Sequence, residues 1–426
     1  MKTTTRWLIA LLAAALVAAC GGGLLGNQGR IRLVNATTGL GSLDLQIDQA
    51  TAISGIAPAT ASDYVLKKAD TYTLDINQTG NAASLLTTTT TLVADKHQSV
   101  VAYNSGGTLA ATILDDEEGD PGRNKAKIRI FNTATADTDQ VDVYLVTAAC
   151  STLDGSPAAP TAANVSGLQG AYTELAASAT TYHLCVTSAG DKSDLRLEIP
   201  SFVLSDQRIV TVILASGSGG HLMNAILLDQ QAAATQVLNP SARARVATSV
   251  ATPVDVSVNG TAIAAGLTSP NVGPYILIPS GAVTLKVNGS DVVPVAPLTA
   301  GPGADVTVLL TGTGTTANLL ADDNTPSSST ARPVKLRLVN GLNGATGTAT
   351  MTLNNVLVGN GAAPGAASGY SQVASSAGLA RLEARIGAVT YYLNQTATLE
   401  SGHVYSLFLL GDGTTQGSLG ILIPDR

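Results

Sequence analysis

KIRIFNTATADTDQVDVYLV, residues 127–146, decides how the rest of the chain reads, because the chain writes the same arrangement about four times. RIRLVN (30–35) precedes LDLQID, KIRIFN (127–132) precedes VDVYLV, RARVAT (243–248) precedes VDVSVN, and KLRLVN (335–340) precedes ATMTLN. Each copy opens on a basic residue, alternates apolar and polar, passes a small-residue turn and alternates again. Period-two alternation is the mark of a half-buried strand. A motif that returns at roughly 90–115 residues signals tandem domains rather than a short-period solenoid.

Length and composition agree with that reading. A chain of 426 residues suggests about three domains, and the repeat count raises this to four, each large enough for its own core. Charged residues make up 12% and apolar ones 45%, yet after the N-terminus no run of about 18 apolar residues exists to span a bilayer as a helix. Gly, Thr, Ala, Ser and Val dominate, the composition of short strands and tight turns. A net charge of −7 argues against nucleic acid, which requires a cationic footprint.

In the first copy the pattern continues through Ile53 to Ile56, Tyr64 to Leu66, TYTLDI (71–76), LLTTTTTLV (85–93), SVVAYN (99–104) and LAATILDD (109–116). Around seven short strands between turn signals predict an antiparallel sandwich. TYTLDI corresponds to TYHLCV (181–186), AVTLKV (282–287) and, loosely, LARLEA (379–384). SVVAYN corresponds to IVTVILA, DVTVLL and VYSLFLL, and each closing strand ends acidic. The sandwiches are expected at residues 30–118, 126–230, 242–323 and 334–426. Between them lie EEGDPGRN (117–124), where Pro and Gly forbid regular structure, QQAAATQVLNPS (230–241), read as a helical turn or coil, and DNTPSSSTARP (323–333), read as a flexible spacer. In the fourth copy, the Gly/Ala-rich residues 341–347 and 359–369 read as loose loops.

The N-terminus carries an address. Lys2 and Arg6 precede an apolar stretch from Trp7 to Ala19, too short to span a membrane but right for a secretory signal. Its end, Leu16-Val17-Ala18-Ala19-Cys20, resembles the lipobox of bacterial lipoproteins, in which the cysteine is lipidated and becomes the mature N-terminus. The resemblance implies a signal peptide at residues 1–19 and a lipidated Cys20, whose several acyl chains give stable anchoring. Gly21 following Cys20 implies, by resemblance to the sorting rule of diderm bacteria, the outer membrane, with residues 20–29 as a flexible tether.

The [KR]-[ILA]-R-[LIV]-x-[NT] opening, the x-D-V-Y-[LV] second strand, the T-Y-x-L strand and the apolar strand before a Gly-rich turn together resemble a bacterial family of unknown function, DUF4397. The resemblance covers the four copies, most clearly the first two. It is weakest in the fourth, where Thr350 replaces the second-strand aspartate. It implies immunoglobulin-like β-sandwiches on exported, often lipid-anchored proteins, and it transfers no activity or catalytic residue.

Candidate chemistry is sparse. His97 and His403 occupy equivalent positions, where the second copy has Arg208, and a position accepting either residue reads as an exposed turn. His183 falls on the polar face of its strand, and no nucleophile elbow is present. ASGSGGH (215–221) and TGTGTT (311–316) lead into strands rather than helices, so they read as hairpin turns and not phosphate loops. Asp115, Asp116, Asp322 and Asp323 cluster at domain junctions, where carboxylates from several segments suit Ca²⁺, although an acidic run is more often a solvated linker. Cys150 and Cys185 flank a surplus in the second copy: Asp44 to Leu74 spans 30 positions, Asp142 to Leu184 spans 42. A disulfide is expected there, with two unpaired thiols as the alternative.

The functional expectation is a non-enzymatic envelope lipoprotein. It would be bound to the membrane through its lipid and act as a spacer, adhesin or protein-interaction module facing the periplasm or the cell surface. The alternative is a glycan- or ligand-binding module, weakened by a single Trp in the signal and eleven scattered Tyr. Recognition is expected to centre on the enlarged loop of the second copy, Thr147 to Ala171, since loops on a rigid scaffold carry recognition.

Overall fold

The computed structural model describes residues 27–37, 40–105, 108–134, 140–177, 181–312, 316–327, 331–413 and 419–426. The expected signal peptide, Cys20 and most of the tether lie outside the described residues. Asn27 onward is described, and the tether ends earlier than expected: Gln28 and Gly29 already pair with Lys68 and Lys67.

The structure is all β, and among the described residues the single helical element is a 3₁₀ turn at Cys150–Thr152. Eight of the sheets among the described residues fall into four successive pairs, and Gly281–Ala282 with Thr299–Ala300 adds a small two-stranded sheet in the third. In the first pair, one sheet sets the opening strand Gln28–Asn35 beside His97–Ser105 and then Thr108–Asp115. The other runs Ala50–Ile56, Leu43–Ile47, Asp70–Gln78, Ser84–Leu92. The later pairs repeat that order around the opening strands Lys125–Asn132, Ser241–Thr248 and Val334–Asn343. All the pairings are antiparallel except one in each sandwich. The opening strand lies parallel to the penultimate strand, in registers such as Leu33 to Val100 and Leu338 to Leu407.

Alternation sends Ile31 and Leu33 into the first core, Ile128 and Ile130 into the second, Ala244 and Val246 into the third, and Leu336 and Leu338 into the fourth. The opposite face of these strands is not solvated, as the sequence pattern suggested. Val34, Val101, Phe131, Ile213 and Ile226 form one apolar cluster; Ala247, Leu309, Val339, Phe408 and Leu410 form another. The first and second sandwiches, and likewise the third and fourth, are therefore packed back to back through their opening sheets. This also explains why IVTVILA and DVTVLL are apolar without alternation: a strand covered on both faces needs apolar residues throughout.

The expected linkers are absorbed into these contacts. Ala234–Val237 pairs with the closing strand Met223–Asp229, so residues 230–241 hold a fifth strand rather than a helical turn. The first part of the supposed flexible spacer is packed into a seam: Asn324 and Ser327 are buried, and the Asn324 amide donates to Asp305 at 2.8 Å. Residues 359–369 are not a loose loop, since Val356–Ala362 and Ala366–Ala367 are strands paired with their neighbours.

Three sandwiches join their second and third strands by two-residue turns with positive φ at both positions: Asp48 49° and Gln49 66°, Asn259 50° and Gly260 80°, Asn354 52° and Asn355 65°. Such turns match the right-handed twist of the strands they join. The second sandwich replaces this turn with residues 147–161, which run from Val141–Val146 to Ala162–Val165. The enlarged segment is thus confined to one hairpin end.

Candidate functional site

The second basic residue of each repeated opening is an arginine on the strand face that meets the neighbouring sandwich, and all four are buried: Arg32, Arg129, Arg245 and Arg337. Parallel register places a hydroxyl opposite each one, at Ser99, Thr211, Thr307 and Ser406. Each guanidinium donates to that hydroxyl, at 2.7, 3.1, 2.9 and 2.8 Å. Each also lies on a tyrosine ring, 4.4 Å from Tyr64, 4.3 Å from Tyr172, 4.4 Å from Tyr275 and 4.7 Å from Tyr370.

Three of the four arginines also meet a carboxylate, within the first sandwich for Arg32 and across the interface for Arg245 and Arg337. Arg32 meets Asp116 at 3.3 Å and donates to the Ala232 carbonyl of the second sandwich at 2.6 Å. In the carboxy-terminal pair the exchange is reciprocal: Arg337 of the fourth sandwich meets Asp322 of the third at 2.5 Å, and Arg245 of the third meets Asp425 of the fourth at 2.5 Å. Burial alone would raise the Asp322 carboxyl, yet Arg337, Arg245 and the hydroxyls of Thr307 and Tyr275 hold it below the ordinary carboxylate range. The second sandwich is the exception. Its Asp229 is bonded to Arg208 at 2.7 Å, leaving Arg129 to Thr211 and Tyr172.

The calcium expectation gains no support from this placement. Asp116 and Asp322 are committed to guanidinium groups, Asp323 pairs with Lys335 at 2.7 Å, and Asp115 is exposed. His97 is not an exposed turn residue either: its ring nitrogen lies 2.9 Å from Glu117 and its side chain is only 13% exposed. The two halves of the molecule meet at the Gly-rich turn after Ile209–Ser216, where Gly219 donates to the Gly303 carbonyl at 2.9 Å. A Cβ on Gly219 would lie 2.4 Å from the Asp305 nitrogen, and one on Gly220 2.4 Å from that of Thr325. These glycines therefore permit backbone contact as well as a turn.

Beside that contact sits a buried charged group. His221 Nε2 lies 2.8 Å from Asp194, which also pairs with Arg196 at 2.7 Å, and Arg243 pairs with Asp305 at 2.6 Å. Burial lowers the His221 imidazole despite the Asp194 bond, with Arg243 and Arg196 adding to the effect. Burial opposes ionisation of Asp194, but His221 and Arg196 outweigh it and hold the carboxyl low. Both folded-state pKa values lie below their unfolded values, so the native state binds fewer protons and stability falls as pH falls. Asp305 is shifted upward, mainly by burial, and has the opposite sign, but it titrates in the carboxylate range. Between about pH 7.5 and 5.5, around the unfolded imidazole value of about 6.5, His221 governs this cluster. We expect the melting midpoint to drop over that interval and His221→Gln to flatten the slope. An unaltered slope in the variant would refute the assignment.

A crevice of about 450 Å³ opens between the first three sandwiches, lined by Thr37, Ser216, Ser218, Asn224, Asp323 and Thr325 among others. None of its lining residues is aromatic, so it lacks the stacking platform on which sugar recognition generally relies. The enlarged hairpin end of the second sandwich is ordered differently. Cys150 and Cys185 form the expected disulfide, with Cα atoms 5.6 Å apart. Cys150, Leu153, Cys185 and Tyr144 form a small apolar cluster. Lys192 Nζ donates to the Ser156 carbonyl at 2.6 Å, holding residues 147–161 against the sheet. His183, expected on the polar face, is 2.7 Å from Glu198 there.

The sequence profile of a family described as Domain of unknown function (DUF4397) matches residues 29–144 and 241–345. No curated relative matches the chain. Among solved structures, the Bacillus anthracis TIE protein is similar over 91% of this chain and 68% of its own, at 8% identity and a TM-score of 0.14. No described helix is long and apolar enough to cross a membrane.

Proposed function

The chain belongs to the DUF4397 family, whose profile spans just over half of it, and on that premise we propose that it is a cell-envelope lipoprotein acting as a non-catalytic interaction scaffold. In this reading all four sandwiches are copies of the family unit, and Cys20 carries the lipid that holds them at the outer membrane. The observation that supports it is the back-to-back packing around buried arginines. A flexible string has no use for such contacts, whereas a scaffold that must present a surface in a fixed orientation does. The surface we assign to a protein partner is residues 147–161, the one place where a two-residue turn is replaced by a long segment tied down by a disulfide. A segment already ordered loses less entropy on binding.

One cellular experiment with two arms tests this. In the first, Cys20→Ser should release the protein from the membrane fraction or leave its signal uncleaved; unchanged fractionation and mass would remove the lipoprotein assignment. In the second, residues 147–161 are replaced by a two-residue Asn-Gly turn, as at Asn259 and Gly260 of the third sandwich, and Cys185→Ala removes the thiol left by the lost bridge. Envelope partners cross-linked to the wild type should be lost from this variant while its melting profile stays cooperative. Partners retained at equal yield by a folded variant would show that recognition lies elsewhere.

A further inference from the structure

Two strands and a 3₁₀ turn of the second sandwich place four ligand-type side chains on one outer face. The core face of this sheet is taken by Leu184, Val186, Leu197 and Ile199. His183 and Cys185 alternate with the core residues of Thr181–Ser188, so they share the opposite face. Glu198 stands directly across from Cys185 on Asp191–Val203. The 3₁₀ turn Cys150–Thr152 brings Cys150 onto that face, where its N–H donates to Glu198 Oε1 at 3.2 Å. A ring nitrogen of His183, a carboxylate oxygen of Glu198 and Cys150 Sγ all lie within 4.8 Å of one another.

We propose that this face is a thiol-gated site for a borderline divalent cation, Zn²⁺ in chemical class, formed by Cys150, His183 and Glu198 with Cys185 as fourth ligand, and available only when the disulfide is reduced. Sulfur, imidazole and carboxylate are the donors zinc takes in tetrahedral sites, at about 2.0–2.3 Å. Those bond lengths put ligand atoms about 3.3–3.8 Å apart, so side-chain rotations suffice to close the set of Cys150, His183 and Glu198, and Cys185 is free to join them once the bridge is opened. The same donors are poor for Ca²⁺ or Mg²⁺, which prefer oxygen alone.

The gate is the bond between the sulfurs. In the oxidised protein neither sulfur carries a thiolate, and only His183 and Glu198 remain as donors. A dithiol reductant transfers two electrons and two protons to the bridge: its own S–S bond forms as the Cys150–Cys185 bond breaks, leaving two protein thiols. Zn²⁺ binding then displaces the two thiol protons to water. The cation enters from the solvent side, where the side chains of His183 and Glu198 are 23% and 24% exposed, whereas Cys150 and Cys185 are 3% and 0% exposed. The site goes beyond the scaffold reading and does not depend on the membrane assignment.

The test uses purified full-length protein in detergent, oxidised or reduced and then freed of reductant under nitrogen, titrated with Co²⁺ and Zn²⁺. Reduced protein should bind one Co²⁺ with a sulfur-to-cobalt charge-transfer band and tetrahedral d–d bands, which Zn²⁺ abolishes. Oxidised protein should show neither. His183→Ala and Glu198→Gln should each weaken binding by roughly tenfold or more, since loss of an outer-shell partner alone typically costs about 10–100-fold. Because residual reductant is itself a thiol ligand for Co²⁺, Cys185→Ser provides a second route: it leaves Cys150 as a thiol without any reductant and should still show the sulfur band with Co²⁺ while its far-ultraviolet circular dichroism stays that of the wild type. The proposal is overturned if reduced protein and Cys185→Ser bind no more tightly than oxidised protein. It is equally overturned if binding ignores the His183 and Glu198 substitutions, which would mean adventitious thiol capture.

Discussion

Asp322→Asn should destabilise the carboxy-terminal half of the protein by about 3–5 kcal/mol, the cost of leaving a buried ionic partner uncompensated. One Asp322 oxygen accepts from Arg337 at 2.5 Å, and the other accepts from Thr307 at 2.5 Å and Tyr275 at 2.6 Å. Arg245 lies 3.9 Å away, and the Asp322 side chain is fully buried. An amide supplies one acceptor and turns two donors toward a site already furnished with donors. It also strands the positive charge of Arg337 between two sandwiches. In urea, we expect the third and fourth sandwiches to unfold at markedly lower concentration, and small-angle scattering of the variant to show a longer particle. Asp115→Asn, at an exposed carboxylate, is the control and should change stability little. A shift below about 1 kcal/mol for Asp322→Asn, typical of a surface pair, would mean the interface does not depend on this charge.

Removing the Cys150–Cys185 bridge should cost nearly as much, through the unfolded chain rather than through a native contact. The cysteines are separated by 35 residues, and closing a loop of that size restricts the denatured ensemble by about 4 kcal/mol. The Cys150→Ala/Cys185→Ala pair should therefore add or lower a calorimetric transition for the half that holds the first and second sandwiches, whose faces share one apolar cluster, making it the first transition, and leave that of the third and fourth in place. In the wild type, neither cysteine should take a thiol label after denaturation without reductant. Labelling of both, or an unmoved first transition in the double variant, would contradict the entropic role given to the bridge.

Much of this organisation was legible along the chain because it is local. Alternation in RIRLVN and KIRIFN placed Ile31, Leu33, Ile128 and Ile130 in cores, since a pleated strand sends successive side chains to opposite faces. The disulfide is legible because the two remaining cysteines flank a surplus between repeat-equivalent strands, Cys150 at its start and Cys185 on the strand that follows it. The candidate site was legible only in fragments. His183 was placed on a polar face, but Glu198 was not recognised as its partner, because cross-strand register is set by pairing and not by spacing. Asp115, Asp116, Asp322 and Asp323 read from the sequence as a calcium set or a solvated linker, because nothing local shows which cation faces them. Those partners lie 84 residues away for Asp116 with Arg32, and even where the separation is only 15, for Asp322 with Arg337, they sit in different sandwiches.

The sequence by itself determined the number of sandwiches to expect, the inward face of each strand and the position of the bridge, all consequences of period, turn chemistry and residue type within one repeat. Only the tertiary structure decided what the outward faces do. The same alternation describes a strand bathed in water and one pressed against a neighbouring domain, and the second arginine of [KR]-x-R would serve either. Burial of Arg32 and Arg337 against Asp116 and Asp322 settles it for the folded chain. A charged side chain can be withdrawn from water only where a partner of opposite charge and fixed geometry waits. Whether such a partner waits is a property of how whole sheets meet, which no local pattern encodes.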